Sequence, residues 1–159
     1  MNSAMMKTAL LGLAVIWSSV ALAKSGEVTI IQCGGGQVRS IATTPQHSFG
    51  TYEAYTTVRT DPAGGIFDLM SGQCLGASRL VDGKPSVWGH CEWTDKEGDK
   101  VLLHFARSEG LAGKFTVVHG TGKYAGLRGS REYQITPFPP IAGGRAVCDQ
   151  GKLNYTLPD

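Results

Sequence analysis

The sequence predicts an all-β protein: a small antiparallel barrel of about eight strands, stapled by disulfides. Three observations carry this expectation. Glycine is abundant, at 22 of 159 residues, and Val, Ile, Thr and Tyr crowd into short runs broken by Gly, Pro, Asn and Asp. No stretch keeps apolar residues at helical spacing for three turns. One hairpin can be put in register from its turn and its cysteines alone.

That hairpin turns at Asp82-Gly83. Asp-Gly favours a two-residue type I′ loop, whose central residues both need positive φ. Such a loop pairs Val81 with Lys84 and Leu80 with Pro85, and continuing outward sets Cys74 opposite Cys91. Counting alternately from a hydrogen-bonded Val81–Lys84 pair, Leu80–Pro85 and Cys74–Cys91 both fall on non-hydrogen-bonded positions. Pro85 has no N–H to give, so that slot suits it. The same slot brings Cα atoms to about 4.5 Å, within disulfide reach.

The elements follow in chain order. Val28 to Cys33 is a first strand, ended by Gly34-Gly35-Gly36, and Val38 to Thr43 is a short strand or an irregular connection. Tyr52 to Arg59 is β-rich and stops at the turn chemistry of Asp61-Pro62-Ala63-Gly64-Gly65. Ile66 to Leu80 and Lys84 to Trp93 flank the Asp82-Gly83 turn. Val101 to Arg107, Lys114 to His119, Arg131 to Thr136 and Arg145 to Leu157 complete the set. Pro137, Pro139 and Pro140 mark an exposed loop. In a closed up-and-down barrel the first and last strands are neighbours. Of the three connectivities that four cysteines allow, we therefore expect Cys33–Cys148 beside Cys74–Cys91; the alternative is free thiols.

Residues 1–23 read as a secretory signal peptide. Lys7 supplies the charge, Thr8 to Val20 the apolar run, and Ala21-Leu22-Ala23 the cleavage signature. The run is shorter than the roughly 20 apolar residues a spanning helix needs. Cleavage after Ala23 leaves a single domain, residues 24–159, in the periplasm or secreted. Removing the leader takes one lysine and no acid, so 15 basic and 13 acidic residues become 14 and 13. That balance argues against nucleic acid or anionic lipid as a partner. Arg128 and Arg131 read as scattered surface charge, and the mature chain has no second long apolar run.

Few motifs point to chemistry. Gly120 to Gly129 is dense in glycine but has neither the Walker spacing nor the dinucleotide fingerprint, and no helix pattern follows it. It reads as a tight crossing between strands. Asp95, Glu97 and Asp99 lie between two strands rather than in a 12-residue helix-flanked calcium loop, so a solvated hairpin tip is expected there. There is no C-x-x-C and no His at ligand spacing to a Cys, so no metal and no cofactor are assigned.

Strand alternation sorts the histidines. Val101, Leu103 and Phe105 form one apolar face, and Tyr133 and Ile135 oppose Glu132 and Gln134. With the apolar face inward, Val101, Leu103, Phe105, Tyr133 and Ile135 are candidate ligand-lining residues. His90, Glu92, His104 and Glu132 then point outward. The interior is expected to hold hydrocarbon and tyrosine with no acid–base pair, so no catalytic residue is assigned. His47 and His119 lie near loops of the barrel mouths, where catalytic groups could also sit.

The segment Gly120 to Tyr133 (GTGKYAGLRGSREY) resembles the glycine-rich stretch of the bacterial secreted allene oxide cyclase-like barrel group. Asp61 to Asp68, Gly72 to Gly76 and Asp95 to Val101 are similar to further pieces of that group, in the expected order, over roughly residues 50–157. The resemblance implies a calycin-like barrel similar to those of dirigent proteins and plant allene oxide cyclases. It implies no reaction, since no plant catalytic residue matches a position here. The expected function is an exported, non-catalytic barrel that binds a small hydrophobic ligand or serves a structural role. The alternative is an isomerase or cyclase acting on a hydrophobic substrate. Association with another protein through an exposed strand or an aromatic patch at Trp88 is a third reading.

Overall fold

A computed structural model describes residues 23–139 and 144–158. The expected signal peptide, apart from Ala23, lies outside the described residues. Eight strands follow in order: β1 Lys24–Thr44, β2 His47–Asp61, β3 Met70–Val81, β4 Lys84–Thr94, β5 Lys100–Arg107, β6 Ala112–Gly120, β7 Arg128–Pro137 and β8 Arg145–Leu157. Each pairs antiparallel with its sequence neighbours, and β8 returns to β1, closing the barrel. Closure removes the two free edges that an open sheet would expose. Among the described residues no helix is long and apolar enough to cross a membrane.

Register follows the hairpin arithmetic. Val81 pairs with Lys84, Leu80 with Pro85 and Cys74 with Cys91, and Asp82 and Gly83 both take positive φ. Cys74–Cys91 and Cys33–Cys148 are both disulfides, with Cα atoms 4.0 and 4.1 Å apart. The two bridges differ in direction. Cys74 and Cys91 are buried in the core, whereas Cys33 is only half-buried and neighbours the inward Gln32. One staple thus faces the interior and the other clips the β1–β8 seam from outside.

Several expected boundaries move: β1 begins at Lys24, β2 at His47 and β7 at Arg128, and Pro137, expected in a loop, ends β7 paired with Val147. The triglycine does not end the first strand: β1 runs through it and absorbs Val38 to Thr43. A Cβ on Gly36 would lie 1.9 Å from the Glu53 carbonyl oxygen, so glycine here permits close approach of β2 rather than a break. The strand expected from Ile66 begins at Met70 instead. Residues 62–69 form a turn folded around Asp68, whose carboxylate accepts from the Gly64 N–H (2.8 Å), the Thr60 N–H (3.0 Å) and Arg59 Nε (3.0 Å). The Gly64 and Thr60 amides, then Arg59, hold this carboxyl down at about 2.

That turn swings Phe67 beneath one end of the barrel. Phe67 stacks on Tyr124 at 5.7 Å and meets Tyr155 edge-on at 5.2 Å. Tyr124 belongs to a single 3-10 turn, Gly122–Tyr124, inside the glycine-rich crossing. Its hydroxyl donates to the Ile66 carbonyl at 2.6 Å and to Asp95 at 3.2 Å. Gly122 is required there: φ is +49°, and a Cβ would sit 1.8 Å from an Asp99 oxygen. Phe67, Tyr124, Leu127, Trp93, Val101 and Leu153 are fully buried, so this end is plugged.

Candidate functional site

The opposite half of the barrel is not filled. Between the plug and the far hairpins lies a cavity of about 240 Å³. Its walls are Tyr52, Phe105, Phe115, Tyr133 and Ile135, with the Cys74–Cys91 disulfide on one side. Each is placed by the period of two: residues of like parity on each strand point inward, and an eight-stranded cylinder has room for one small ligand where its side chains leave space. Gln32 and Asp149 also line it, and Arg107 and Arg145 reach it from the strand ends at the unplugged side.

Beneath this cavity is a buried ion pair. Arg131 Nη2 lies 2.6 Å from Asp149 Oδ1, and the arginine side chain is fully shielded from solvent. The same nitrogen donates to Gln32 Oε1 at 3.0 Å. Gln32 in turn donates to Thr56 Oγ1 at 3.1 Å. The guanidinium carbon sits 4.4 Å from the Phe115 ring centre, with Tyr133 at 5.7 Å and Trp93 at 5.8 Å. Aromatic faces therefore stabilise part of the charge that water would otherwise solvate. Arg131 Nε and Nη1 have no hydrogen-bond partner among the described residues.

This corrects the expectation of an interior of hydrocarbon and tyrosine alone, and of Arg131 as surface charge. Arg131 shares the inward parity of Tyr133 and Ile135, and Asp149 that of Leu153. Burial is tolerated because each charge has a partner. Burial is the largest influence on both: it pushes Asp149 up and Arg131 down, while each draws the other back toward its charged form. Burial also raises the Tyr133 phenol to about 12, and Tyr52 rises for the same reason, aided by Tyr133. Both phenols stay protonated at neutral pH and can donate to a guest.

Of the five candidate lining residues, Phe105, Tyr133 and Ile135 line the cavity. Val101 and Leu103 do not: they are fully buried lower in β5, toward the plugged end. Their parity was right, but alternation says nothing of depth along the barrel. Sequence reasoning missed Tyr52, Phe115, Gln32 and Asp149. Phe115 was legible, since it alternates with Val117 in the same strand.

The histidines stay out of the cavity. His90 is exposed and His104 half-buried on the outer wall, where they face each other. His47 is held by Thr44 and Asp82, each at 3.0 Å, and His119 is exposed toward the plugged end. The acids near Asp95 are engaged locally. Asp95 Oδ1 accepts from the Glu97 and Asp99 N–H groups, both at 2.9 Å, and Oδ2 lies 2.6 Å from Lys123 Nζ. Glu97 meets the same ammonium at 2.9 Å. These contacts outweigh desolvation and hold the Asp95 carboxyl down at about 2. The tip is thus a lysine-bound clasp over the plug.

No protein-family model matches the chain, and no curated protein matches it. Among solved structures it is similar to the pterocarpan synthase dirigent protein GePTS1: 11% identity, 93% of this chain and 99% of that one, TM-score 0.56. A second pterocarpan synthase dirigent protein, PsPTS1, aligns at 9% identity over 85% of this chain and 97% of its own, TM-score 0.49. The first likeness shows a shared eight-stranded barrel.

Proposed function

We propose that this is an exported, non-catalytic barrel that holds one small, mostly apolar molecule. The observation that carries the reading is the cavity of about 240 Å³ walled by Tyr52, Phe105, Phe115, Tyr133 and Ile135. Concave, largely apolar walls with a few convergent polar groups are what small-molecule sites share. Gln32, Asp149 and the two phenols would meet a polar group on the guest. The leader-like segment and the two disulfides support export, because disulfides persist in oxidising compartments. We also read Gly120 to Tyr133 as the glycine-rich segment of the bacterial secreted allene oxide cyclase-like barrels. The barrel is shared with a pterocarpan synthase dirigent protein, a likeness of fold that by itself assigns no reaction.

A second reading is favoured by one specific observation. Asp149 is a carboxylate on the cavity wall whose proton affinity is raised by burial. In an isomerase or cyclase it would be the group that moves a proton. Native mass spectrometry of the exported protein, purified gently, tests the first reading: a bound small molecule is expected, and it should be lost on filling the cavity. An empty protein that also fails to bind apolar fluorescent probes overturns it. Chromatography of the released molecule separates the two. A binder returns what it was given, whereas an isomerase returns an isomer with another retention time.

A further inference from the structure

We propose that His90 and His104 form a two-imidazole site for a late first-row divalent cation, copper(II) foremost, on the outer wall of the barrel. The two residues are direct partners in the β4–β5 ladder, and their rings lie 5.2 Å apart, centre to centre. Neither ring has a hydrogen-bond partner among the described residues, unlike His47, which is held by Thr44 and Asp82.

The register decides the geometry. Cys74–Cys91 is a non-hydrogen-bonded pair of β3 and β4, as its 4.0 Å Cα spacing shows. The backbone N–H and C=O of Cys91 therefore turn toward β5, and those of His90, one residue back, turn toward β3. His90–His104 is then a non-hydrogen-bonded pair of β4 and β5, the slot in which facing side chains come closest. Two imidazoles on one face at that spacing can turn ring nitrogens toward a common point above the sheet. Imidazole suits copper, nickel and zinc, and affinity for a given nitrogen site peaks at copper(II). Remaining coordination positions are left to solvent or to a ligand from outside. Glu92 shares the outer face but is held by Lys100, so it is not counted as a donor.

The site is independent of the cavity, which the barrel wall separates from it. Copper(II) added to the disulfide-intact protein at neutral pH should bind with an electron paramagnetic resonance signature of two imidazole nitrogens and should raise the melting temperature. His90→Gln and His104→Gln should each weaken binding at least about tenfold, because the second donor, held in place, acts at high effective concentration. His47→Gln and His119→Gln should leave it unchanged. Both key positions lie on the outer wall, and circular dichroism together with intact disulfides checks that the variants fold. Equal copper affinity in wild type, His90→Gln and His104→Gln overturns the proposal, as does loss of binding on changing His47 or His119 instead.

Discussion

Arg131 and Asp149 meet at 2.6 Å in the interior of a barrel whose other walls are mostly hydrocarbon and aromatic rings. They come from β7 and β8, and Gln32 of β1 completes the group through the same guanidinium nitrogen. Three strands thus converge on one charge, directly under the cavity. The pair costs desolvation on both sides, so its worth is best read by removing one member and then both.

Arg131→Met leaves a buried carboxylate, and Asp149→Leu leaves a buried guanidinium. Each single change is expected to cost about 3–5 kcal/mol. The double change Arg131→Met with Asp149→Leu should cost clearly less than the sum, since no charge remains unpaired. Urea unfolding of the four proteins gives the coupling. Additive losses would mean that the two charges do not stabilise one another.

The staples should differ in strength. Cys33–Cys148 closes a sequence separation of 115 and Cys74–Cys91 one of 17. On the chain-entropy account the longer loop contributes more, by about 1.7 kcal/mol. Paired Cys→Ser variants compared by denaturant unfolding should show the β1–β8 bridge as the costlier loss. Equal costs would point to structure retained in the unfolded chain.

Acid should loosen the plugged end first. The carboxyls of Asp68 and Asp95 sit at about 2 in the folded protein, below the ordinary 3.8. A group depressed on folding contributes stability above its unfolded value and loses it as pH falls through the folded one. The loss should therefore fall between about pH 4 and pH 2. Asp149 acts in the opposite sense, since burial raises it: it detracts from stability at neutral pH and is relieved on protonation. Urea midpoints across that range should fall in the wild type and flatten in Asp68→Asn and Asp95→Asn. A wild-type midpoint that stays level from pH 4 to 2 would contradict this assignment.

Filling the cavity should separate binding from folding. Ala54 points inward on β2 and lines the cavity. Ala54→Phe should occupy the space, lowering affinity for an apolar guest at least about tenfold, or ~1.4 kcal/mol. Stability should hold or rise, because the new ring gains contacts where none existed. Unchanged affinity for the guest would place its site elsewhere.

Much of this fold was legible along the chain. The Asp82-Gly83 turn, Pro85 and the Cys74–Cys91 pair set the register of one hairpin, because turn geometry and a period of two are local properties. The expected closure in turn set Cys33 of the first strand beside Cys148 of the last. Parity alone placed His90 and His104 outside and Phe105, Tyr133 and Ile135 inside. The triglycine of β1 misled, because a glycine that ends a strand and one that lets a neighbour approach look identical until the neighbour is known.

What tertiary structure alone decided was depth and company. Parity gives the face of the wall but not the height in the cylinder, so Val101 and Leu103 could not be told from Phe105. A lone arginine in a strand reads as surface, because burying an unpaired charge costs more than a small domain can bear. Only the meeting of β1, β7 and β8 brings Gln32, Arg131 and Asp149 together, and that meeting offsets the cost of taking Arg131 inside.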